Sequence, residues 1–172
     1  MEETRRFELV RAQDCDADTC MAVLSEGRAF QQEQGFVQWS DRYPALQDVV
    51  SDISLGTGFK LIDGGRIAAY VCLDPFGEEA YKHIKGAWHT SDPYIVIRRI
   101  SFARDYAGRG LSGMLFALID DVCRSSGLSN IRVDTAKENG RMQKALSRSG
   151  YSYCGTVVMM GIERLAYDRI LA

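Results

Sequence analysis

The chain lacks any apolar run approaching the ~20 residues that a membrane-spanning helix requires, so no membrane partner is predicted. It also lacks an excess of either charge. Lys and Arg number 21 against 23 Asp and Glu in 172 residues, a formal net charge of −2. Such a balance offers no basic field to nucleic acid or to an anionic bilayer. The opening Met1-Glu-Glu-Thr-Arg-Arg6 is acidic and then basic, without the apolar core of a secretory leader. The 5 cysteines (Cys15, Cys20, Cys72, Cys123 and Cys154) are odd in number, scattered, and contain no C-x-x-C pair. Most stand in apolar patterns, as buried thiols do. That usage predicts a reduced, cytoplasmic protein without zinc or disulfides. Histidine is scarcer still: His83 and His89 are the only two, and no metal site is expected. Linkers, repeats and low-complexity tracts are missing as well, so residues 1–172 read as one domain.

What is present is a mixture of strand and helix signals. Phe7 to Val10 reads as a first strand. Asp14 or Asp16 caps a helix running to about Gln34, with Gly35 as its stop. Pro44 opens a second helix carrying Leu46, Val49, Val50 and Ile53. Phe59–Ile62 and Ile67–Leu73 flank Asp63-Gly64-Gly65, a hairpin signal. Glu78 to Lys85 reads as a helical turn, with Glu78 and Glu79 on a solvated face. Tyr94 to Phe102 is a long β-branched strand. Leu111, Met114, Leu115, Leu118, Ile119 and Val122 follow a helical period, which Gly127 ends. Ile131, Val133 and Thr135 alternate as a strand. Asn139 caps a helix ending at Gly150, and two strands close the chain. The class is α+β, or mixed α/β.

The most informative segment is Ile100-Ser-Phe-Ala-Arg-Asp-Tyr-Ala-Gly-Arg-Gly-Leu-Ser-Gly-Met-Leu115. A strand runs into a glycine-rich turn and then into a helix. The first N–H groups of such a helix are unpaired and sit at the positive end of its dipole, a place that binds phosphate. Glycines alone are equally a tight strand-to-helix connection. The segment is not a P-loop, for it lacks G-x-x-x-x-G-K-[ST], and it lacks the dinucleotide fingerprint.

The order of parts resembles the GNAT superfamily of acyl-CoA-dependent N-acyltransferases. The family loop, roughly Arg/Gln-x-x-Gly-x-Gly/Ala, falls on Ala107-Gly108-Arg109-Gly110-Leu111-Ser112. Gly110 fits; Ala107 and Ser112 depart from the pattern, which leaves Arg109 and Arg104 as charge partners for the pyrophosphate. Asp134 to Tyr151 is similar to the later family motif, in which an Asn opens a helix that ends in Gly-Phe or Gly-Tyr. Gly35 to Pro44, with Asp52, Ile53, Tyr81 and Trp88, resembles a bacterial subgroup bearing a Gln-Trp…Tyr-Pro segment after the first helix. The resemblance implies a twisted, mostly antiparallel mixed sheet of about seven strands flanked by about four helices.

It also implies acetyl-CoA as cosubstrate, no metal, and direct transfer of acetyl to a primary amine in a ternary complex. The cofactor residues would be Ile100, Ser101, Phe102, Ala107, Gly108, Arg109, Gly110, Leu111, Ser112, Gly113, Asn139 and Met142. Pantetheine would pair with backbone near Ile100 and Phe102, and the pyrophosphate would sit on N–H groups of Gly108 to Gly113. A backbone donor near Ile100 or Ser101 would polarise the thioester carbonyl. Many relatives carry a Tyr seven residues after the Asn; here Leu146 stands there and donates nothing. Tyr94 and Tyr151 are the side-chain candidates for catalysis. Trp39, Tyr43, Tyr94 and Arg99 are candidates for the acceptor pocket, where aromatic rings hold cations and apolar groups. Trp39 is alternatively packing under the first helix. Arg99 is alternatively half of a structural pair with Asp134 or Asp52. Family analogy suggests a homodimer through the last strands. The rival reading is a catalytically silent CoA-binding sensor or interaction module.

Overall fold

The computed structural model describes residues 6–172, so the leader reading of residues 1–5 falls outside the described residues. The chain forms two compact units, and the strand β5 (Ile95–Phe102) runs from one into the other.

The first unit extends through Leu73 and takes in Arg99–Leu111. It contains β1 (Phe7–Arg11), α1 (Ala17–Glu33), α2 (Leu46–Ser54), β2 (Gly58–Asp63), β3 (Arg66–Asp74) and the second half of β5. β1 lies antiparallel on β2 and β2 on β3, the latter through the expected tight turn. α1 turns Cys20, Val23 and Leu24 inward, where they pack with Trp39, Val49 and Tyr70. Residues at that spacing share one helix face, which is why α1 buries a single stripe. The start of α1 differs from expectation. Asp16 does not cap α1 with its side chain; its carboxylate accepts from the Gln13 N–H at 2.8 Å and closes a 3₁₀ turn at Asp14–Asp16. Nor does Pro44 open α2. The helix begins two residues later, where the Ala45 N–H donates to the Asp48 carboxylate at 2.7 Å.

The second unit comprises Asp74–Arg98 and Ser112–Ala172. It holds β4 (Lys85–Gly86), the first half of β5, α3 (Ser112–Ser125), β6 (Asn130–Ala136), α4 (Gly140–Arg148), β7 (Ser152–Met159) and β8 (Ile162–Ile170). β6 pairs with β8 along its whole length, and β8 with β7, all antiparallel. β5 and β6 are parallel, as their connection through α3 requires. That ladder consists of Ile95↔Ile131 and Val96↔Arg132, while both strands run on, to Phe102 and Ala136. α3 buries Leu115, Ile119 and Cys123 of the helical period, together with Phe116 and Asp120, which the period leaves out; Leu111, Met114, Leu118 and Val122 are half-buried.

Strand order is β1-β2-β3-β5-β6-β8-β7-β4, which makes eight strands among the described residues rather than about seven. The extra one, β4, is two residues long and pairs with β7 at Lys85↔Thr156 and Gly86↔Gly155. Two residues carry no periodicity, and the sequence reads the first of them, Lys85, as the end of a helical turn. No helix among the described residues is long and apolar enough to cross a membrane.

Candidate functional site

β5 ends at Phe102, and the chain then makes a 3₁₀ turn at Arg104–Tyr106 before the glycine-rich loop. Gly108 and Gly110 have φ of +74° and +72°, a backbone that favours glycine. A Cβ added at Gly110 or at Gly113 would meet nothing within 4 Å. The loop is therefore open, and α3 starts immediately after it at Ser112. Its first-turn N–H groups have no partners inside the helix, and the first turn holds no acidic residue. Tyr106 pins the start of the loop, its hydroxyl donating to Asp63 at 2.7 Å. Arg109 is exposed and lies over the Tyr106 ring at 5.6 Å. Arg104, the other expected charge partner, is already paired with Glu33 at 2.6 Å.

Upstream in β5 stands the least ordinary backbone of the first unit. Arg99 has φ +49°, the left-handed region, inside a strand. For a side-chain-bearing residue this costs of order 1–3 kcal/mol and persists only when neighbours hold it. Here they do. The guanidinium grips Asp52 with two donors, at 2.9 and 2.5 Å, and donates a third bond to the Tyr43 hydroxyl at 2.8 Å. The Tyr70 hydroxyl donates to the same Asp52 carboxylate at 2.6 Å. Burial pulls the Arg99 guanidinium down, but the Asp52 carboxylate outweighs it and holds the cation above its ordinary value. Burial, then Asp52, pushes the Tyr70 phenol up, so it stays a donor. Of the two partners expected for Arg99, the structure selects Asp52; Asp134 instead accepts from Tyr81 at 2.6 Å and from Arg164.

Arg98 turns the other way, as adjacent strand residues do. It meets Asp74 at 2.8 Å and Glu78 at 2.9 Å. Glu78 is thus an ion-pair partner rather than part of a solvated face. Ser101 is buried, its hydroxyl 3.4 Å from the Val23 carbonyl. Ile100 and Phe102 are half-buried. Trp39 is buried among α1 and α2 side chains, the packing arrangement the sequence also allows. Gly27 makes this possible. A Cβ there would lie 2.1 Å from Ser101 Oγ and 3.3 Å from the Trp39 ring. In the sequence the only signal of Gly27 is a glycine inside a helical pattern, which does not mark such a close approach.

In the second unit, Tyr94 is half-buried, its ring 4.0 Å from the Arg132 guanidinium. Trp88 covers the opposite side of that cation at 4.3 Å. Asn139 caps α4 as expected, its carbonyl oxygen accepting from the Met142 N–H at 3.2 Å. Met142 is half-buried. Leu146 is completely buried. Tyr151 packs against Phe116, and its buried hydroxyl has no hydrogen-bond partner. Burial, then the charge of Asp120, lifts that phenol well above its ordinary value.

A sequence profile of the GNAT acetyltransferase family matches residues 24–151. The chain belongs to the GNAT acetyltransferase family. It is an acyl-CoA-dependent acetyltransferase, with acetyl-CoA as cosubstrate. A GNAT-family acetyltransferase from Streptococcus agalactiae is 30% identical, with a TM-score of 0.87 over 98% of this chain and 97% of that one. Two more distant structures share the fold. The aminoglycoside acetyltransferase AAC(6')-Ib, in complex with coenzyme A and kanamycin, is 18% identical with a TM-score of 0.70 over 95% and 94% of the two chains. The yncA protein of Salmonella typhimurium, with its cofactor acetyl-CoA, is 10% identical with a TM-score of 0.66 over 98% and 95%. No curated protein matches the chain by sequence.

Proposed function

We propose that this GNAT protein moves acetyl from acetyl-CoA directly to a primary amine in a ternary complex, the whole chain acting as one acetyltransferase domain. The observation that carries this reading is the left-handed Arg99 in β5, locked by Asp52 beside Ile100 and Ser101. A residue in that conformation breaks the regular alternation of strand amides. In this reading an N–H near Ile100 or Ser101 would be turned out of the ladder toward the thioester oxygen. Charge grows on that oxygen as the amine attacks, and a donor already fixed in place stabilises it without reorganising.

The acceptor ammonium, of pKa ~10.4, first gives a proton to solvent. The amine nitrogen then bonds to the carbonyl carbon and loses a second proton, the carbon–sulfur bond breaks, and CoA leaves as a thiolate that takes up that second proton. The thiol's pKa resembles a cysteine's ~8.5, so an acid helps without being essential. That suits a chain with Leu146 where relatives carry a tyrosine. Tyr94 and Tyr151 are the side-chain candidates for that acid. Tyr94 is half-buried, whereas Tyr151 is closed off behind Phe116. Tyr43 and Arg99, with Trp39 packed behind, would form the acceptor wall in one part; Tyr94 would supply another. Loop N–H groups of Gly108 to Gly113, with Ala107, Arg109, Leu111 and Ser112, would hold the pyrophosphate. Asn139 and Met142 would border the arm. Five free cysteines, four of them buried, fit a reducing cytoplasm.

The test is release of free CoA from acetyl-CoA with a panel of primary amines. Turnover with one or more amines is the expected result. Tight CoA binding with no turnover on any amine would favour the second reading, a CoA-binding sensor. Leu146 in place of the family's tyrosine speaks for that reading.

A further inference from the structure

We propose that His89, Cys154 and Asp168, none of them given a part in acetyl transfer above, form a zinc-binding site. Three different donor atoms converge: His89 Nδ1 lies 2.7 Å from Asp168 Oδ1 and 3.4 Å from Cys154 Sγ. All three ligand atoms lie within 4.8 Å of one another. Imidazole, thiolate and carboxylate together suit a borderline cation such as zinc rather than calcium or magnesium, which prefer oxygen alone.

The backbone is arranged to bring these residues together. Cys154 is the extra residue of a β-bulge in β7, between the pairs Tyr153↔Tyr167 and Gly155↔Ala166. A bulge re-aims a side chain, and this one turns the thiol beside Asp168 of β8. β4 is fastened to β7 at Gly86↔Gly155, and the Ala87 N–H donates to the Cys154 carbonyl at 3.0 Å. That short strand delivers His89, three residues further on. The second Asp168 oxygen, Oδ2, accepts from the His89 backbone N–H at 2.8 Å. The carboxylate is thereby oriented by an outer hydrogen bond and offers Oδ1 inward, as metal-binding carboxylates do.

Cys154 and Asp168 are buried, while the His89 side chain is 48% exposed, so the site has an open side for a fourth ligand such as water. Zinc–ligand distances of about 2.0–2.3 Å give tetrahedral edges of roughly 3.4–3.6 Å. The N···S separation already fits. The N···O separation must widen by roughly 0.7 Å, which the exposed His89 ring can supply by swinging outward. On binding, the Cys154 thiol releases one proton, and the imidazole proton moves from Nδ1 to Nε2. Arg132, whose charge acts on both Asp168 and Cys154, is the opposing cation. The carboxylate and thiolate outweigh it by one charge.

Untagged protein, stripped with a chelator, should be titrated with cobalt(II). The expected result is a thiolate-to-cobalt charge-transfer band that saturates at one ion per chain and is displaced by zinc. Cys154→Ser should abolish the band. His89→Asn should raise the cobalt midpoint at least ~10-fold. Cys15→Ser, at an exposed cysteine, should change nothing. Absence of the band from folded wild type at millimolar cobalt overturns the proposal, as does a band that survives Cys154→Ser. If Cys154→Ser does not fold, His89→Asn decides, and an unchanged midpoint overturns the proposal.

Discussion

Arg99 and Arg132 are both arginines taken largely out of water on a strand, yet they are held by opposite means. Arg99 has a carboxylate across its fork, a tyrosine hydroxyl on its remaining edge, and a second tyrosine bracing the carboxylate. Arg132 has two aromatic faces, Trp88 and Tyr94, and one edge bond to the Thr90 carbonyl at 2.7 Å. Its Nε is buried without a partner. The electrostatic consequences diverge. The Arg99 cation is held above its ordinary value, whereas burial lowers Arg132 from its own. A bidentate pair fixes a guanidinium in all its rotations, while stacking fixes only its plane. The first arrangement is the one found beside a strained backbone. That is physically sensible, since only an over-determined side chain can hold φ at +49°.

The comparison breaks most visibly at Asp52. Asp52→Ala leaves a buried guanidinium unpaired and should cost ~3–5 kcal/mol. Chemical denaturation reads that loss directly. A loss under about 1 kcal/mol, the range of an exposed pair, would mean the network is a surface ornament. At Arg132 a much smaller effect is expected. Arg132→Met forfeits a cation–π contact of ~2 kcal/mol but also removes a buried unpaired N–H, so the net change should stay within about 1.5 kcal/mol. The same denaturation curves measure it. A loss as large as at Asp52 would erase the distinction drawn between the two arginines.

A third arginine extends the series to the surface. Arg6 and Tyr106 hold the Asp63 carboxylate well down, at about 2. An unfolded Asp titrates near ~3.9. Asp63 therefore stabilises the fold fully above that value and loses its contribution as pH falls through about 2. Asp63→Asn should be less stable than wild type at neutral pH, with the gap shrinking as pH falls toward 2 and closing below it. A gap that persists in acid would show that packing, not charge, supplies it.

Much of this was legible in the sequence, and for definite reasons. The hairpin at Asp63-Gly64-Gly65, the α3 stripe and the Asn139 cap depend on residues at most a few positions apart. Short-range chemistry decides such features. The Arg99–Asp52 pair was one of two alternatives, because strand parity fixes a face but not a partner. What escaped was set by register between distant strands. Cys154, Asp168 and His89 come from a bulge in β7, from β8 and from the segment after β4, and only the pairing of those strands brings them together. Gly27 escaped for a similar reason: its role is to admit Ser101 and Trp39, far away in sequence. Glu78 looked solvated because its partner Arg98 lies on another element.

Calorimetric titration of acetyl-CoA into wild type, Gly110→Ala and Gly110→Trp tests the central claim most directly. Both variants place a side chain at a φ of +72° and share that strain, but only tryptophan fills the open space over the loop. The account predicts that wild type and Gly110→Ala release heat on binding while folded Gly110→Trp releases none. Equal affinity in all three proteins would contradict it.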